Sequence, residues 1–117
     1  MKLPAILAER REGDALLLDL SLPEELEAFR GHFPDRPVLP GVVQIDWALR
    51  LAQAHRLIAG DAGVREFQVK FRNIIRPLVP LTLSLRRDDR RPRLLFDYRS
   101  VELLMSSGHL NLQTAAP

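Results

Sequence analysis

The chain has no cysteine, which excludes disulfides and thiolate chemistry and leaves the redox compartment open. It also lacks any apolar run of the ~18 residues that a spanning helix requires. The N-terminal stretch MKLPAILAERREGD has too short an apolar core for a secretory signal, and charge follows it at once. The expected location is therefore the cytoplasm. A large excess of one charge is missing too. The net charge is +2, although the sequence pI is near 9.7 because nearly all the cations are arginine. That balance is too weak for a duplex-binding protein, and it suits an acidic protein docking on a local patch. There is no internal repeat or low-complexity segment. There is also no His/Cys/Asp spacing of a metal site, no Ser–His pairing and no Gly-rich phosphate loop.

What remains is an ordinary globular composition. Of 117 residues, 46% are apolar and 27% charged, enough for one domain, residues 1–117, with a real core. Residues 5–11 and 15–22 read as a strand pair turning at Glu12-Gly13-Asp14. Pro23 and two glutamates open a short helix in LPEELEAFR. From Val42 to Ala59 nothing breaks a helix, and Gly60 is the expected terminator. The first half of that helix is apolar on most sides, so it is a core helix wrapped by other structure. EFQVKFRNII alternates, with Phe67, Val69 and Phe71 on one face; LTLSL, RLLFDY and LLMSSGHLNLQ follow as further strands. The expected class is α+β, one long helix against an antiparallel sheet of about five or six strands.

The most unusual stretch is GHFPDRPVLPGVVQIDW, Gly31 to Trp47. Pro34, Pro37 and Pro40 leave the loop around His32 few conformations to lose, which serves a catalytic group or a plain structural corner equally. Leu39, Pro40 and Gly41 lead into the helix without a Ser, Thr, Asp or Asn cap. Its free N–H groups, at the positive end of the helix dipole, suit an oxyanion, and glycine allows close approach; a Gly N-cap completed by water is the plain alternative. Asp46 has Val42, Val43, Leu49 and Arg50 as helical neighbours. An acid among apolar side chains is a candidate proton donor, whereas Asp46, Arg50 and Gln53 on one stripe read, by spacing alone, more readily as a solvated face. His55 and His109 read as surface or structural residues. RRDDRRPR, residues 86–93, reads most simply as a solvated hairpin tip, with a docking patch for an acidic carrier as the sharper alternative.

GHFPDRPVLPGVVQID closely resembles the active-site segment of the 3-hydroxyacyl-[acyl-carrier-protein] dehydratases of fatty-acid synthesis, which have the hotdog fold. Their pattern is His-Phe-Pro-x-x-Pro-(apolar)-x-Pro-Gly, with an acid 14 positions after the histidine. His32, Phe33, Pro34, Pro37, Val38, Pro40, Gly41 and Asp46 fall in register with it. VKFRNIIRPLVP resembles the family's strand after the central helix, and QIDWALRLA with SSGHLNL is most similar to the compact dehydratases of aryl-polyene pathways. The chain departs from the family at Arg50, where a glutamine usually orients the acid, and at Leu81, where glycine usually follows RPLVP.

The resemblance implies dehydration of a 3-hydroxyacyl thioester to a trans-2-enoyl thioester in fatty-acid or polyene-type biosynthesis. His32 would take the proton next to the carbonyl, Asp46 would protonate the departing hydroxyl, and the Gly41 N–H would polarise the thioester carbonyl. Phe33, Val42 and Trp47 would line an apolar acyl tunnel, with no metal or organic cofactor. Acyl carrier protein is the implied partner, and a homodimer or a dimer of dimers the implied assembly, with no nucleic acid and no membrane span. Two rival readings are a hotdog thioesterase, against which the Pro-rich His motif counts, and a non-catalytic hotdog subunit that binds acyl carrier protein.

Overall fold

The computed structural model of the protein describes residues 1–30 and 36–113. Ile6–Glu12 (β1) and Ala15–Leu20 (β2) form the expected hairpin, turning at Gly13, whose φ of 60° is the left-handed conformation glycine adopts without strain. Gly41–Ala54 is the single α-helix (α1) among the described residues, and Gly63–Phe71 (β3) follows it. Leu81–Asp88 (β4), Arg93–Ser100 (β5) and Leu103–Gln113 (β6) complete an antiparallel sheet of order β1-β2-β4-β5-β6-β3.

Alternation makes one face of this sheet apolar. Leu16, Leu18 and Leu20 on β2, Leu81, Leu83 and Leu85 on β4, and Leu94, Phe96 and Tyr98 on β5 are all buried. Leu81, where the resembling family usually has glycine, thus opens β4 as a core residue. The helix meets this face with two adjacent i, i+4 rows, Val43-Trp47-Leu51 and Gln44-Ala48-Ala52, all buried. The small Ala48 and Ala52 let its axis lie close to the sheet. Burying each large aliphatic side chain stabilises the fold by about 1.5–3 kcal/mol, so this interface dominates the energetics. A long helix wrapped by an antiparallel sheet is the hotdog architecture.

Two expectations need correction. The helix ends at Ala54, not Ala59, and Gly60 plays no part in stopping it. Arg56 takes the left-handed conformation, φ 60°, while Leu57 N donates to Ala52 O at 2.9 Å and Arg56 N to Gln53 O at 3.1 Å. Those two bonds are the Schellman closure, made here by an arginine where glycine is usual. The segment after Pro23 holds only a 3-10 turn, Glu27–Phe29, with no side-chain cap. A single short turn does not repay helix nucleation, and burial of Ala28 and Phe29 fixes it instead.

The two edges of the sheet differ. β1 presents Glu9, Arg10, Arg11 and Glu12, exposed charges of the kind that protect an unpaired edge. Arg10 Nη1 lies 2.6 Å from Asp19 Oδ2, and Thr82 donates to Asp19 Oδ1 at 2.7 Å; together they hold the Asp19 carboxyl below its ordinary range. β3 also carries exposed charges, Arg65, Glu66 and Lys70, but mixes them with exposed aromatic rings. Phe67, Val69 and Phe71 pair with Leu110, Gly108 and Ser106, placing them on the helix side of the sheet but beyond what one helix covers. Phe67 and Phe71 remain 55% and 53% exposed.

Candidate active site

Pro40 caps α1 in an extended conformation and provides no side-chain hydrogen bond. Its carbonyl accepts from both Val43 N and Gln44 N at 3.1 Å. The N–H groups of Gly41 and Val42 have no intrahelical partner, as helix geometry requires. Gly41 lies at a cleft of about 310 Å³ built from Val38 and Leu39 before the helix, Gly41 and Gln44 on it, Phe71 at the end of β3, and Arg72, Asn73 and Ile74 after it. A β-bulge sets the last wall. Between Tyr98 and Arg99 the β5–β6 register shifts around Met105, whose carbonyl accepts from Arg72 N and Asn73 N at 2.9 and 3.0 Å. This ends β3 and aims the chain along the cleft. A Cβ on Gly41 would lie 2.6 Å from Cζ of Phe71, so only glycine leaves both the ring and the helix terminus in place.

The other predicted residues fall as follows. His32 and Phe33 lie outside the described residues. Asp46 lies five residues beyond Gly41, about 7.5 Å along the axis, and is not part of the cleft wall. Its Oδ2 is 3.2 Å from Arg50 Nη1, which also donates to the Met1 carbonyl; the two side chains are 39% and 38% exposed. Val42 is exposed beside the helix terminus. Trp47 is fully buried beneath the helix and does not line the cleft; its indole Nε1 has no partner among the described residues. One chain therefore brings Gly41 to the cleft and holds Asp46 apart from it.

Sequence reading missed the polar group behind the cleft. Gln44 is buried; its Nε2 donates to Leu39 O at 3.1 Å and its Oε1 accepts from Ser106 Oγ at 2.6 Å. Tyr98 OH donates to Gln44 O at 2.7 Å. Burial, with the Asp46 carboxylate adding to it, pushes the Tyr98 phenol well above its ordinary value, so it stays a proton-bearing donor. A glutamine in an apolar run was the available signal, but two of its three partners, Tyr98 and Ser106, lie on strands more than fifty residues away.

A single long helix whose uncapped terminus opens on a cleft, wrapped by an antiparallel sheet, is the hotdog arrangement, and the family match agrees. A model described as ApeI-like, ApeI dehydratase, matches residues 8–109, and the chain belongs to that family. The chain is 37% identical over 83 residues to the 3-hydroxyacyl-[acyl-carrier-protein] dehydratase FabZ of Oenococcus oeni, covering 65% of this chain and 59% of that one. It is 40% identical over 76 residues to FabZ of Novosphingobium aromaticivorans, covering 56% and 46%. It thus spans about half the length of the curated relatives it matches. Among solved structures it resembles a chain of the dehydratase heterocomplex ApeI:P from Xenorhabdus doucetiae. The TM-score is 0.85 and the identity 33%, over 97% of this chain and 100% of that one. An uncharacterized protein from Erwinia carotovora subsp. atroseptica matches with TM-score 0.79 and 29% identity, over 96% and 97% of the two chains.

Proposed function

We propose that this protein removes water from 3-hydroxyacyl thioesters on acyl carrier protein, giving trans-2-enoyl thioesters in fatty-acid or polyene-type biosynthesis. The observation that carries the reading is the uncapped helix terminus at Gly41 opening on a cleft in a member of a dehydratase family. In this reading the Gly41 N–H donates to the thioester carbonyl and stabilises enolate character as His32 takes the adjacent proton. Asp46 then protonates the departing 3-hydroxyl. No metal or organic cofactor takes part, and the cytoplasm is the proposed compartment.

The site is composite in this proposal. Asp46 does not open into its own chain's Gly41 cleft, and β3 leaves an apolar edge beside it. Pairing two β3 edges about a two-fold axis buries Phe67 and brings each Asp46 to the partner's His32 and Gly41, in a homodimer or a dimer of dimers. Arg72 lines this cleft, and Arg30 and Arg76 line a neighbouring one of about 690 Å³ that meets the same loop at Pro37. These arginines suit an acidic carrier protein. The arginines of the 86–93 tip suit it less. Arg91 and Arg93 lie beside Arg65, at the opposite end of β3 from Arg72 and some ~20 Å away.

Mass spectrometry of a panel of 3-hydroxyacyl-carrier-protein thioesters is expected to show loss of one water per turnover. Release of free 3-hydroxy acid instead would replace the proposal with thioester hydrolysis.

The Arg50 departure has its own test. Arg50→Gln frees Asp46 from an ion pair whose partners are both more than a third exposed. Such pairs are worth roughly 0.5–1 kcal/mol at most, so turnover of a short pantetheine thioester is expected to rise about two- to five-fold. A fall of tenfold or more would assign Arg50 to the chemistry itself.

A further inference from the structure

Gln44 is the one buried side-chain amide among the described residues, and the buried Ser106 hydroxyl is bonded to it. A buried amide in an apolar helix face is unfavourable unless its groups are paired. Here the pairing runs in a definite direction. Ser106 on β6 donates to Oε1, and Nε2 reaches back past the helix terminus to the carbonyl of Leu39. Leu39 N is bonded in turn to Ile75 O at 2.8 Å, so this residue is held on both of its peptide sides. Pro40, between Leu39 and Gly41, has its φ fixed at −62° by its ring. The one torsion left between the Leu39 carbonyl and the Gly41 N–H is the Pro40 ψ, which the two helix bonds on the Pro40 carbonyl hold, so the Leu39 and Pro40 carbonyls together fix the Gly41 N–H.

The Leu39 carbonyl also has the wrong polarity for the cleft. It is an acceptor two residues from the donor that receives the developing negative charge. Left free, it would turn toward any positive group in the cleft and oppose an oxyanion there.

We propose that Gln44 is a positioning residue for the dehydration, occupying the Leu39 carbonyl and thereby, together with the helix bonds on the Pro40 carbonyl, fixing the direction of the Gly41 N–H. The proposal rests on the dehydratase reading above. Gln44 acts through Leu39, and its effect belongs to the charged transition state and not to binding of the neutral thioester.

Three variants test it. Gln44→Met fills the space without a donor. Gln44→Glu keeps an acceptor for Ser106 and, assayed at alkaline pH where its carboxyl is ionised, has no donor to give Leu39. Ser106→Ala removes the other bond and leaves the Leu39 bond in place. The two Gln44 variants are expected to lose about ten- to a hundred-fold in kcat with KM changed less than about threefold, a smaller loss than removing an oxyanion donor outright. Ser106→Ala is expected to melt lower but to keep kcat, per folded molecule, within about threefold. The Gly41 amide resonance is expected to move in both Gln44 variants and to stay in Ser106→Ala, and this readout does not depend on which reaction the protein performs. Should Gln44→Met not fold, Gln44→Glu carries the test. Wild-type kcat in a folded Gln44 variant, an unmoved Gly41 resonance, equal kcat losses in all three variants, or failure of both Gln44 variants to fold would each overturn the proposal. Absence of dehydration by the wild type would instead remove the reading beneath it, leaving the Gly41 resonance to decide the positioning.

Discussion

His32→Ala is expected to lose about two to four orders of magnitude in dehydration rate, the usual contribution of a positioned proton-transfer group, while melting within a few degrees of the wild type. The proline rings at positions 34, 37 and 40 of the sequence restrict the backbone whatever residue stands at position 32, so the imidazole is expected to be dispensable for folding. Asp46→Ala is expected to be inactive as well. The informative experiment unfolds the two inactive proteins together and refolds them. Random pairing makes half of the dimers mixed, and each mixed dimer carries one intact site and one doubly damaged site. Activity should return to roughly a quarter of wild type, as isologous symmetry demands. Subunit exchange demonstrated by mass spectrometry without recovered turnover would rule out a shared site, and wild-type turnover by His32→Ala would remove the histidine from the mechanism.

Gly108→Ala is expected to be the most damaging single methyl that the described fold can receive. Gly108 on β6 faces Val69 on β3, and an added Cβ would press on the Gln68 carbonyl, 2.9 Å from Val69 Cα and 3.0 Å from Val69 Cγ2. Two of those three neighbours are backbone, so relief requires the strands to part. The crowding at Gly41 differs in kind, because the Phe71 ring there is a half-exposed side chain that can swing. Overpacking without room to yield costs roughly 2–4 kcal/mol, which in a chain of this size lowers the melting temperature by about 10 °C or more. Because β3 is also the proposed dimer edge, the variant should dissociate at higher protein concentrations than the wild type. A melting temperature within about 2 °C of wild type would show that the β3–β6 ladder is looser than its geometry indicates.

Much of this architecture was legible in the residues because alternation and turn chemistry are local. LLMSSGHLNLQ reads as one strand, and β6 has those bounds; Gly13 marks the first hairpin, and its left-handed φ is where the chain turns. The helix was legible at its start, where Gly41 follows three prolines, and not at its end. An arginine in a left-handed Schellman position leaves no compositional trace, so the next glycine attracts the assignment instead. The site was legible only in part. Gly41 and Asp46 are separated by five positions, and spacing alone did not show whether they share a cavity or face apart. That depends on the rotation of α1 against the sheet, which Trp47 and the two alanines set. Gln44, Tyr98 and Ser106 were invisible for a related reason. Tyr98 and Ser106 are unremarkable in their own segments, the lone glutamine in an apolar run names no partner, and the bonds joining the three exist only once β5 and β6 are in register beneath the helix.

The unequal edges of the sheet determine how far any assembly through it can grow. A chain with two apolar borders would add copies without limit and end as a fibre. Here a second molecule that joins along β3 uses up the apolar border of both. What the pair then shows at either extremity is β1, a short rim of glutamates and arginines. In the proposed dimer lateral polymerisation would thus terminate after one addition, with the charges on Glu9, Arg10, Arg11 and Glu12 as chain stoppers.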